Sequence, residues 1–332
     1  MAATALADVV VPEVFAEYMI RETAEKARIF QSGLAVTNGV ISSFLNGGGT
    51  TVNLPQWTDL SGTPNISSDD STSSATPLNV AALSDVAIRQ NRNQGWTAAD
   101  LVAAFAGDDP LKMVVDRVST YWANTMDAMM VNSLEGVFAD NIANDSGDMV
   151  NDISAGDGTG TITAEAIIDA AATMGDADDR LAAIVMHSNN YAQLAKLNLI
   201  DFIPDSRGEV KFPSYLGYNV IRDDDCFSTN GRTHVYLMAR NSLAWGEATA
   251  RVPVEVERKP AQADGGGVEE LWTRRQFCLH PYGFAWLSGS MAGLGPTDAE
   301  LALAANWNRI ATERKQVGMA MLITDVPGVA AV

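Results

Sequence analysis

The chain has 332 residues, a length that suits one large domain or two to three subdomains and allows a substantial core. Its net charge of −19 and pI of about 4.4 exclude strong binding to nucleic acid or anionic membranes over most of the surface, although simple solubility also explains such a charge. Cys226 and Cys278 are too few for a disulfide framework or a zinc site, and we expect two reduced core thiols.

The N-terminal segment, residues 1–35, carries Asp8, Glu13 and Glu17 but no basic stretch, so it is not a signal peptide. No run of about 18 apolar residues occurs in the chain, and we expect no membrane-spanning helix. Pro12 can begin a helix, and the apolar residues that follow it form a loose amphipathic face. Such a helix either docks on its own domain or acts as an arm on a neighbouring subunit, and the residues alone leave both alternatives open.

Residues 36 to about 106 are rich in Ser, Thr, Asn and Gly, with no lysine between positions 27 and 111. After the turn at residues 47–49, the stretch TTVNLPQW alternates as a strand does, and a second extended piece returns at residues 83–90. The polar stretch SGTPNISSDDSTSSATP between them is typical of a flexible tip. The pattern predicts a long two-stranded ribbon, followed by a short helix over Trp96–Asp108 that leads into the next element.

A lone two-stranded ribbon is marginally stable in water and needs a surface to lie on. That surface belongs either to the chain's own domain or to a neighbouring subunit. In the second case, apolar side chains of the arm and the ribbon are candidates for contacts between subunits: Phe15, Tyr18, Val52, Leu54, Trp57, Val86 and Ile88.

The longest predicted element is a helix from Asp109 to Asp140. Asp109 is a suitable N-cap, and Pro110 fits the first helical position, where a missing N–H costs nothing. Apolar residues recur at three- and four-residue spacing, with Ser133 as a small exception and Gly136 as a weak point. The residues that carry this spacing are Leu111, Val115, Val118, Trp122, Met126, Met129 and Val137. At about 1.5 Å per residue, the helix is a rod of roughly 45 Å and serves as a spine.

The remainder mixes helices and strands without strict alternation, which predicts an α+β fold rather than a doubly wound sheet. A helix begins after the cap Thr163, and a buried strand at residues 181–187 leads to a short helix that begins near Ser188. Thr297 and Glu300 form a capping box that predicts a helix reaching Arg314. Further strands are predicted at residues 212–220, 234–245, 252–258 and 271–286, with a closing strand at 319–325.

The sequence has no arrangement typical of a catalytic or metal site. His187, His234 and His280 stand singly in strand-like runs, where a packed histidine is more common than a catalytic one. Side chains of the run 223–225 point alternately along an extended chain, so a solvated turn explains it better than a metal or acid–base cluster. The acidic, glycine-rich loop 139–160 lacks the ordered spacing of a calcium site. We predict no cofactor, no metal and no catalytic residue.

The order of these parts resembles that of the major capsid proteins of tailed bacteriophages with the Hong Kong 97-type fold. The local motifs are PEVF at 12–15, G..TVNLPQW ending at Trp57, DLSG at 59–62, and DP followed by YW and LEGVF over 109–138. The resemblance covers roughly residues 8–325. It implies an α+β protein with an N-terminal arm (1–35), an E-loop hairpin and lead-in helix (36–107), the spine helix and following loop of a P-domain (108–160), an A-domain (161–255), and return strands to the P-domain with a C-terminal helix (256–332).

By this resemblance, the chain is a non-catalytic shell protein of the virion, whose copies form pentamers and hexamers of an icosahedral head around double-stranded DNA. The implied partners are other copies of the chain, a separate scaffolding protein, a portal and, in some relatives, a decoration protein. Packaged DNA would be contacted only weakly, no membrane would be involved, and assembly would take place in the cytoplasm of the host bacterium.

Two departures from the resemblance qualify these expectations. Some relatives crosslink through an E-loop lysine, which this ribbon lacks, so we expect no isopeptide link from it. Some carry a long N-terminal scaffolding segment, whereas this chain begins almost at the arm, so we expect a cleaved form or a separate scaffold, and Met1 favours the latter. Two alternatives stay open: an encapsulin-type nanocompartment shell with the same fold, and a metal-dependent enzyme built on the Asp clusters.

Overall fold

One long helix and several long-range strand pairings organise the chain, which we describe from a computed structural model. The structure describes residues 27, 32–57, 60, 62–72, 74–80, 82–100, 110–197, 201–204, 210–226, 228–229 and 231–326. The predicted contact residues Phe15 and Tyr18, and the predicted cap Asp109, lie outside these residues.

The first half of the chain, in order, contains β1 (Ala35–Thr37), α1 (Gly39–Asn46), β2 (Thr51–Trp57), β3 (Ala82–Ile88), β4 (Gln90–Ala99), α2 (Pro110–Asn144), β5 (Val150–Asp152) and α3 (Ala164–Ala172). A 3₁₀ turn (Gly175–Arg180) then precedes β6 (Leu181–Met186), α4 (Ser188–Lys196), β7 (Asp201–Pro204), β8 (Val210–Tyr215), β9 (Tyr218–Arg222), β10 (Ser228–Thr229), β11 (Arg232–Ala239) and β12 (Leu243–Ala248). The last part contains β13 (Val254–Lys259), β14 (Val268–Pro281), β15 (Phe284–Trp286), α5 (Asp298–Leu301), β16 (Trp307–Arg309) and β17 (Met319–Asp325), with 3₁₀ turns at Ala304–Asn306 and Arg314–Gln316.

The predicted spine is confirmed as α2, which runs to Asn144, four residues past the predicted end. Its predicted apolar face is buried at Val118, Trp122, Met126, Met129 and Val137. Ser133 is also buried and donates from Oγ to the carbonyl of Met129 at 2.8 Å, so its hydroxyl is satisfied within the helix. Gly136 lies against Leu301 and Trp307, where a Cβ would overlap the Leu301 carbonyl oxygen. The weak point of the helix is therefore a position at which packing requires glycine.

Two mixed sheets lie beside the spine. The larger has eight strands in the order β5-β17-β11-β6-β9-β8-β7, with β10 paired to β11. The smaller has the path β1-β12-β14-β13, with β4 paired to β14. Helices α3 and α4 contribute Ile167, Ala170 and Leu194 to a core over the larger sheet, and the spine shares the main core with both sheets. This mixture confirms the predicted α+β class.

The predicted helix over Trp96–Asp108 is wrong at its start, because Trp96 and Ala99 belong to strand β4. Trp96 pairs with Leu271 of β14 and packs edge-on against Tyr121 of the spine, with ring centroids 5.3 Å apart. Pairing with a strand about 175 residues later in the chain decides the conformation there, and a local pattern cannot reveal it. Residues 101–108 lie outside the described residues.

The predicted helix from Thr297 to Arg314 is also wrong beyond its first turn. The capping box of Thr297 and Glu300 is present, but α5 ends at Leu301. The Leu301 carbonyl accepts a hydrogen bond from Trp307 Nε1 at 2.7 Å, and the Asn306 side chain donates to the Glu300 carbonyl. These side chains take acceptors that a continuing helix would use, and β16 then pairs with β15.

The predicted closing strand is confirmed as β17, which lies between β5 and β11 and is buried along its whole length. Cys226 and Cys278 are free and buried, and burial raises the pKa of the Cys278 thiol to about 12. Within the described part of the chain, no helix combines the length and apolar character needed to cross a membrane.

Candidate functional site

The predicted ribbon is confirmed: β2 and β3 pair in antiparallel register from Thr51–Ile88 to Trp57–Ala82. Beyond the strands, Leu78 lies against Gly62, so the two limbs stay together past Trp57. We call residues 51–88 the ribbon and residues 60–80 its tip. Every described residue of the tip is exposed.

The base of the ribbon is anchored on the chain's own core. Leu54 and Ala87 join a cluster with α1 and with strands β12 and β14, and Val52 packs against it. Leu54 is 5% exposed and Ile88 is 1% exposed. These two residues hold the ribbon to its own subunit, so their proposed role in contacts between subunits is withdrawn.

Arg89 forms the joint between the ribbon and the smaller sheet, because β3 ends one residue before it and β4 begins one residue after it. Its Nη2 donates to the carbonyls of Phe44, Leu45 and Gly47 at 3.1, 2.7 and 3.2 Å. These carbonyls belong to the C-terminal end of α1, where a cation is favourable because helical carbonyls there lack partners. The guanidinium thereby fixes α1 and the ribbon base to each other.

A buried pair between Asp85 and His280 is a second anchor that sequence reasoning missed. Asp85 of β3 contacts His280 Nε2 of β14 through one carboxylate oxygen, and Gly283 N–H donates to the other at 3.3 Å. Both side chains are essentially inaccessible to solvent. The predicted packed character of His280 is correct, but its partner lies 195 residues away in the sequence, and no local signal identifies it.

The distal part of the ribbon exposes large apolar side chains. Trp57 is 72% exposed and Ile66 is 96% exposed, and Leu60, Leu78 and Val80 are also more than half exposed. Asp70 accepts from the backbone N–H and hydroxyl of Thr72, and these bonds hold its pKa below the usual value. The tip is thus an acidic, partly apolar surface that its own subunit does not cover.

The other predicted candidates for chemistry have structural roles. His187 Nδ1 accepts from Asn189 N–H and caps α4, and His234 Nδ1 contacts Glu135 of the spine at 2.8 Å. Asp223 accepts from the N–H of Asp225 within a turn, as predicted for that run, but Asp223 is buried, and only Asp224 and Asp225 are exposed to solvent. Across the described residues, no group of three or more His, Cys, Asp or Glu side chains has the geometry of a metal site.

The acidic loop after the spine encloses a carboxylate of the same chain. Asp325, at the end of β17, accepts from the backbone N–H groups of Ala155, Gly156 and Gly160 at 3.0–3.1 Å. Burial opposes its ionisation, but these bonds outweigh that effect and hold the pKa of Asp325 below its usual value. Glycine suits this loop because Gly156 has a φ of 76°.

Solved structures of phage capsid chains are similar to this fold as a whole. A chain of the cyanophage Pam1 capsid asymmetric unit superposes with a TM-score of 0.60 at 11% identity, over 92% of both chains. A capsid chain of Ralstonia phage GP4 superposes with a TM-score of 0.57 at 12% identity, over 91% of this chain and 92% of that one. These similarities define the class by fold: an α+β protein with the Hong Kong 97-type capsid fold.

Sequence similarity identifies the family. The model of the Gp13-like family, described as major capsid protein 13-like, matches residues 35–233. The major capsid protein of Bacillus phage SPP1 is 36% identical over 322 residues, which cover 95% of this chain and 96% of that protein. The chain belongs to the Gp13-like family of major capsid proteins.

Family membership confirms the predicted function at this level. The protein is a structural component of a phage virion that associates with copies of itself in the capsid shell. Membership in a family of major capsid proteins does not favour the two alternatives left open by the sequence, a nanocompartment shell and a metal-dependent enzyme. The individual contacts between subunits stay a prediction.

Proposed function

We propose that copies of this chain assemble through their ribbons into pentamers and hexamers of an icosahedral head that encloses double-stranded DNA. The observation that carries the proposal is the tip, whose apolar side chains are exposed while the base of the same ribbon is firmly anchored. A large exposed apolar surface on an anchored projection marks a site of association, because covering it removes apolar area from water.

Within the described part of the ribbon, the proposed contact residues are those predicted positions that the subunit leaves accessible. Trp57 is the principal one, because a largely exposed tryptophan combines a large apolar area with little conformational entropy to lose. Val52 and Val86 are half-buried and contribute at the edge of the contact. Phe15 and Tyr18 are proposed as contacts of an N-terminal arm.

The parts of the chain receive corresponding roles in this proposal. Residues 1–35 are the arm, 36–107 contain the E-loop, 108–160 carry the spine of the P-domain, 161–255 form the A-domain, and 256–332 return to the P-domain. The ribbon of one subunit covers the next subunit, and repetition of one head-to-tail contact closes a ring.

Partners other than the chain itself complete the proposal. A separate scaffolding protein and a portal take part in assembly inside the cytoplasm of the host bacterium, and a decoration protein is a further candidate. The acidic subunit contacts packaged DNA only weakly because of like-charge repulsion. Binding of isolated subunits to a DNA duplex should therefore be lost by about 0.2 M salt, and tight binding at that salt would contradict this part.

Expression of the chain with and without its candidate scaffold tests the proposal. Dynamic light scattering and negative-stain imaging should show closed particles built from rings of five and six subunits. Compact single molecules, with no closed particles across protein concentrations, salts and scaffold ratios, would overturn it. A Trp57→Ala variant should shift the equilibrium from particles to dispersed subunits, whereas Ile168→Ala, at an exposed apolar residue of α3 outside the ribbon, is the control.

A further inference from the structure

The spine-facing side of strands β4 and β14 carries a group of buried polar side chains. The strand register places Arg92 directly opposite Arg275, and side chains two residues apart on one strand share a face. Gln90 therefore lies beside Arg92 on this side. Arg275 Cζ lies 5.8 Å from the ring centroid of Trp122, which shows that this side faces the spine.

Two ion pairs make this group of side chains electrically neutral. Arg275 Nε donates to Glu247 Oε1 of β12 at 2.8 Å, and Arg92 Nη2 donates to Asp298 Oδ1 at 2.7 Å. Two guanidinium groups are thus matched by two carboxylates. We call Gln90, Arg92, Arg275 and Glu247 the inner polar cluster.

Four atoms of the inner polar cluster have no hydrogen-bond partner among the residues that the structure describes. Gln90 is fully buried, yet both its Nε2 and its Oε1 are unpaired. The side chain of Arg275 is 2% exposed, and its Nη1 is unpaired, as is Nε of Arg92. Buried polar atoms in folded proteins are nearly always bonded to protein or to ordered water, because an unmade hydrogen bond is costly. These atoms therefore require a partner from solution.

The unpaired atoms define the chemistry of that partner. Gln90 Oε1 only accepts a hydrogen bond, and Arg275 Nη1 only donates one. They belong to neighbouring strands and to one face, but they do not bond to each other directly. A group that joins them must accept from Nη1 and donate to Oε1, as water does. A halide ion cannot donate and would add negative charge to a protein whose net charge is already −19, and a metal cation would lie against two guanidinium groups.

We propose that the inner polar cluster binds ordered water, with one molecule bridging Gln90 to Arg275. This water accepts from Arg275 Nη1 and Arg92 Nε and donates to Gln90 Oε1, a set of about three hydrogen bonds that is typical of buried water. Gln90 directly follows Arg89, the joint of the ribbon, so the bridge ties the root of the ribbon to strand β14 beneath the spine. The site belongs to the single subunit and does not depend on assembly.

Crystals of the dispersed, full-length subunit, grown with bromide in place of chloride, locate the bridging molecule. Electron density should contain a peak within hydrogen-bond distance, about 2.5–3.2 Å, of both Gln90 Oε1 and Arg275 Nη1, without anomalous scattering from bromide. A direct hydrogen bond between the two side chains, or no peak between them, would overturn the inference. An anomalous peak at that position would overturn it too, because the ligand would then be a halide.

A double-mutant cycle measures the energetic link between the two residues. Gln90→Met keeps the size of the side chain but removes both amide atoms. Arg275→Lys keeps the positive charge beside Glu247 but has no second nitrogen to reach the water. If water joins the residues, urea unfolding of dispersed subunits should show non-additive effects, with a coupling of at least about threefold in the unfolding equilibrium constant.

Gln94→Met is the matched control for this cycle. Gln94 lies on the same face of β4 and is as far from Arg92 along the strand as Gln90 is, but its Nε2 donates to the Gly95 carbonyl at 3.1 Å. Its combination with Arg275→Lys should be additive within about twofold. Additive effects for Gln90→Met as well would overturn the inference. Where Arg275→Lys prevents folding, the electron density of the wild type decides alone.

Discussion

Replacement of Gly136 by alanine tests how the spine is fixed to the C-terminal part of the chain. A Cβ at this position would overlap the Leu301 carbonyl oxygen and Trp307 Nε1, and would lie 2.6 Å from Trp307 Cδ1. Those two polar atoms form the 2.7 Å hydrogen bond that ends α5, and Trp307 is 1% exposed. The new methyl group must displace either the indole or the helix.

The expected loss of stability is the sum of one stabilising and two destabilising effects. Alanine favours an α-helix over glycine by roughly 0.5–1 kcal/mol. Overpacking costs about 1–3 kcal/mol, and a buried indole N–H that loses its acceptor costs about 1–3 kcal/mol. The two destabilising effects exceed the gain in helix propensity, so Gly136→Ala should lower the free energy of unfolding by about 2–4 kcal/mol.

Urea unfolding of dispersed subunits, followed by far-UV circular dichroism, measures this loss. Gly39→Ala is the matched control, because Gly39 begins α1 and nothing lies within 4 Å of the added Cβ. The control should be as stable as the wild type within about 0.5 kcal/mol. A Gly136→Ala subunit as stable as the control would refute the packing argument.

Three further predictions concern the loop that binds Asp325, the joint at Arg89 and the assembled shell. Asp325→Asn should cost roughly 1–3 kcal/mol at pH 7. Because the pKa of Asp325 is lowered in the folded state, its stabilisation is fully present above about pH 4 and is lost as pH falls through the folded-state pKa. The difference in unfolding free energy between wild type and variant, measured by urea unfolding, should therefore be smaller at pH 3 than at pH 7. An equal difference at the two pH values would contradict stabilisation of the ionised Asp325 carboxylate by the loop. Arg89→Lys should speed hydrogen exchange at the ribbon base by about tenfold, which corresponds to ~1.4 kcal/mol of local stability, while spine amides stay unchanged; equal acceleration in both would mean that Arg89 does not act locally. Shells boiled in denaturant should run as one band of 35.3 kDa, because the ribbon contains no lysine, and a ladder of larger bands would refute this.

The elements that the sequence predicts well are those with a strong local period. The spine follows from regular apolar spacing, and the ribbon follows from alternation on either side of a polar tip. The capping box at Thr297 is local as well, and the structure contains it. Each of these signals lies within a few residues of the structure that it specifies.

The elements that the sequence mispredicts depend on distant partners. Trp96 looks helical from its alanine-rich neighbours, but β14 pairs with it. The C-terminal helix stops because Trp307 and Asn306 bond to carbonyls of the preceding turn. The candidate site shows the same contrast between local and long-range signals. The ribbon was predicted from local alternation, whereas the pair of Asp85 and His280 at its base joins residues far apart in the sequence and is identified only from the folded structure.

Hydrogen exchange of the ribbon tip, in dispersed subunits and in assembled shells, tests the central claim most directly. Amides of residues 62–72 and 74–80 should exchange rapidly in the dispersed subunit, where every one of these residues is exposed. In shells, the same amides should be protected by at least about tenfold, because a neighbouring copy covers them. Equal exchange rates in the two states would show that the tip finds no surface on another subunit, and the account would fail.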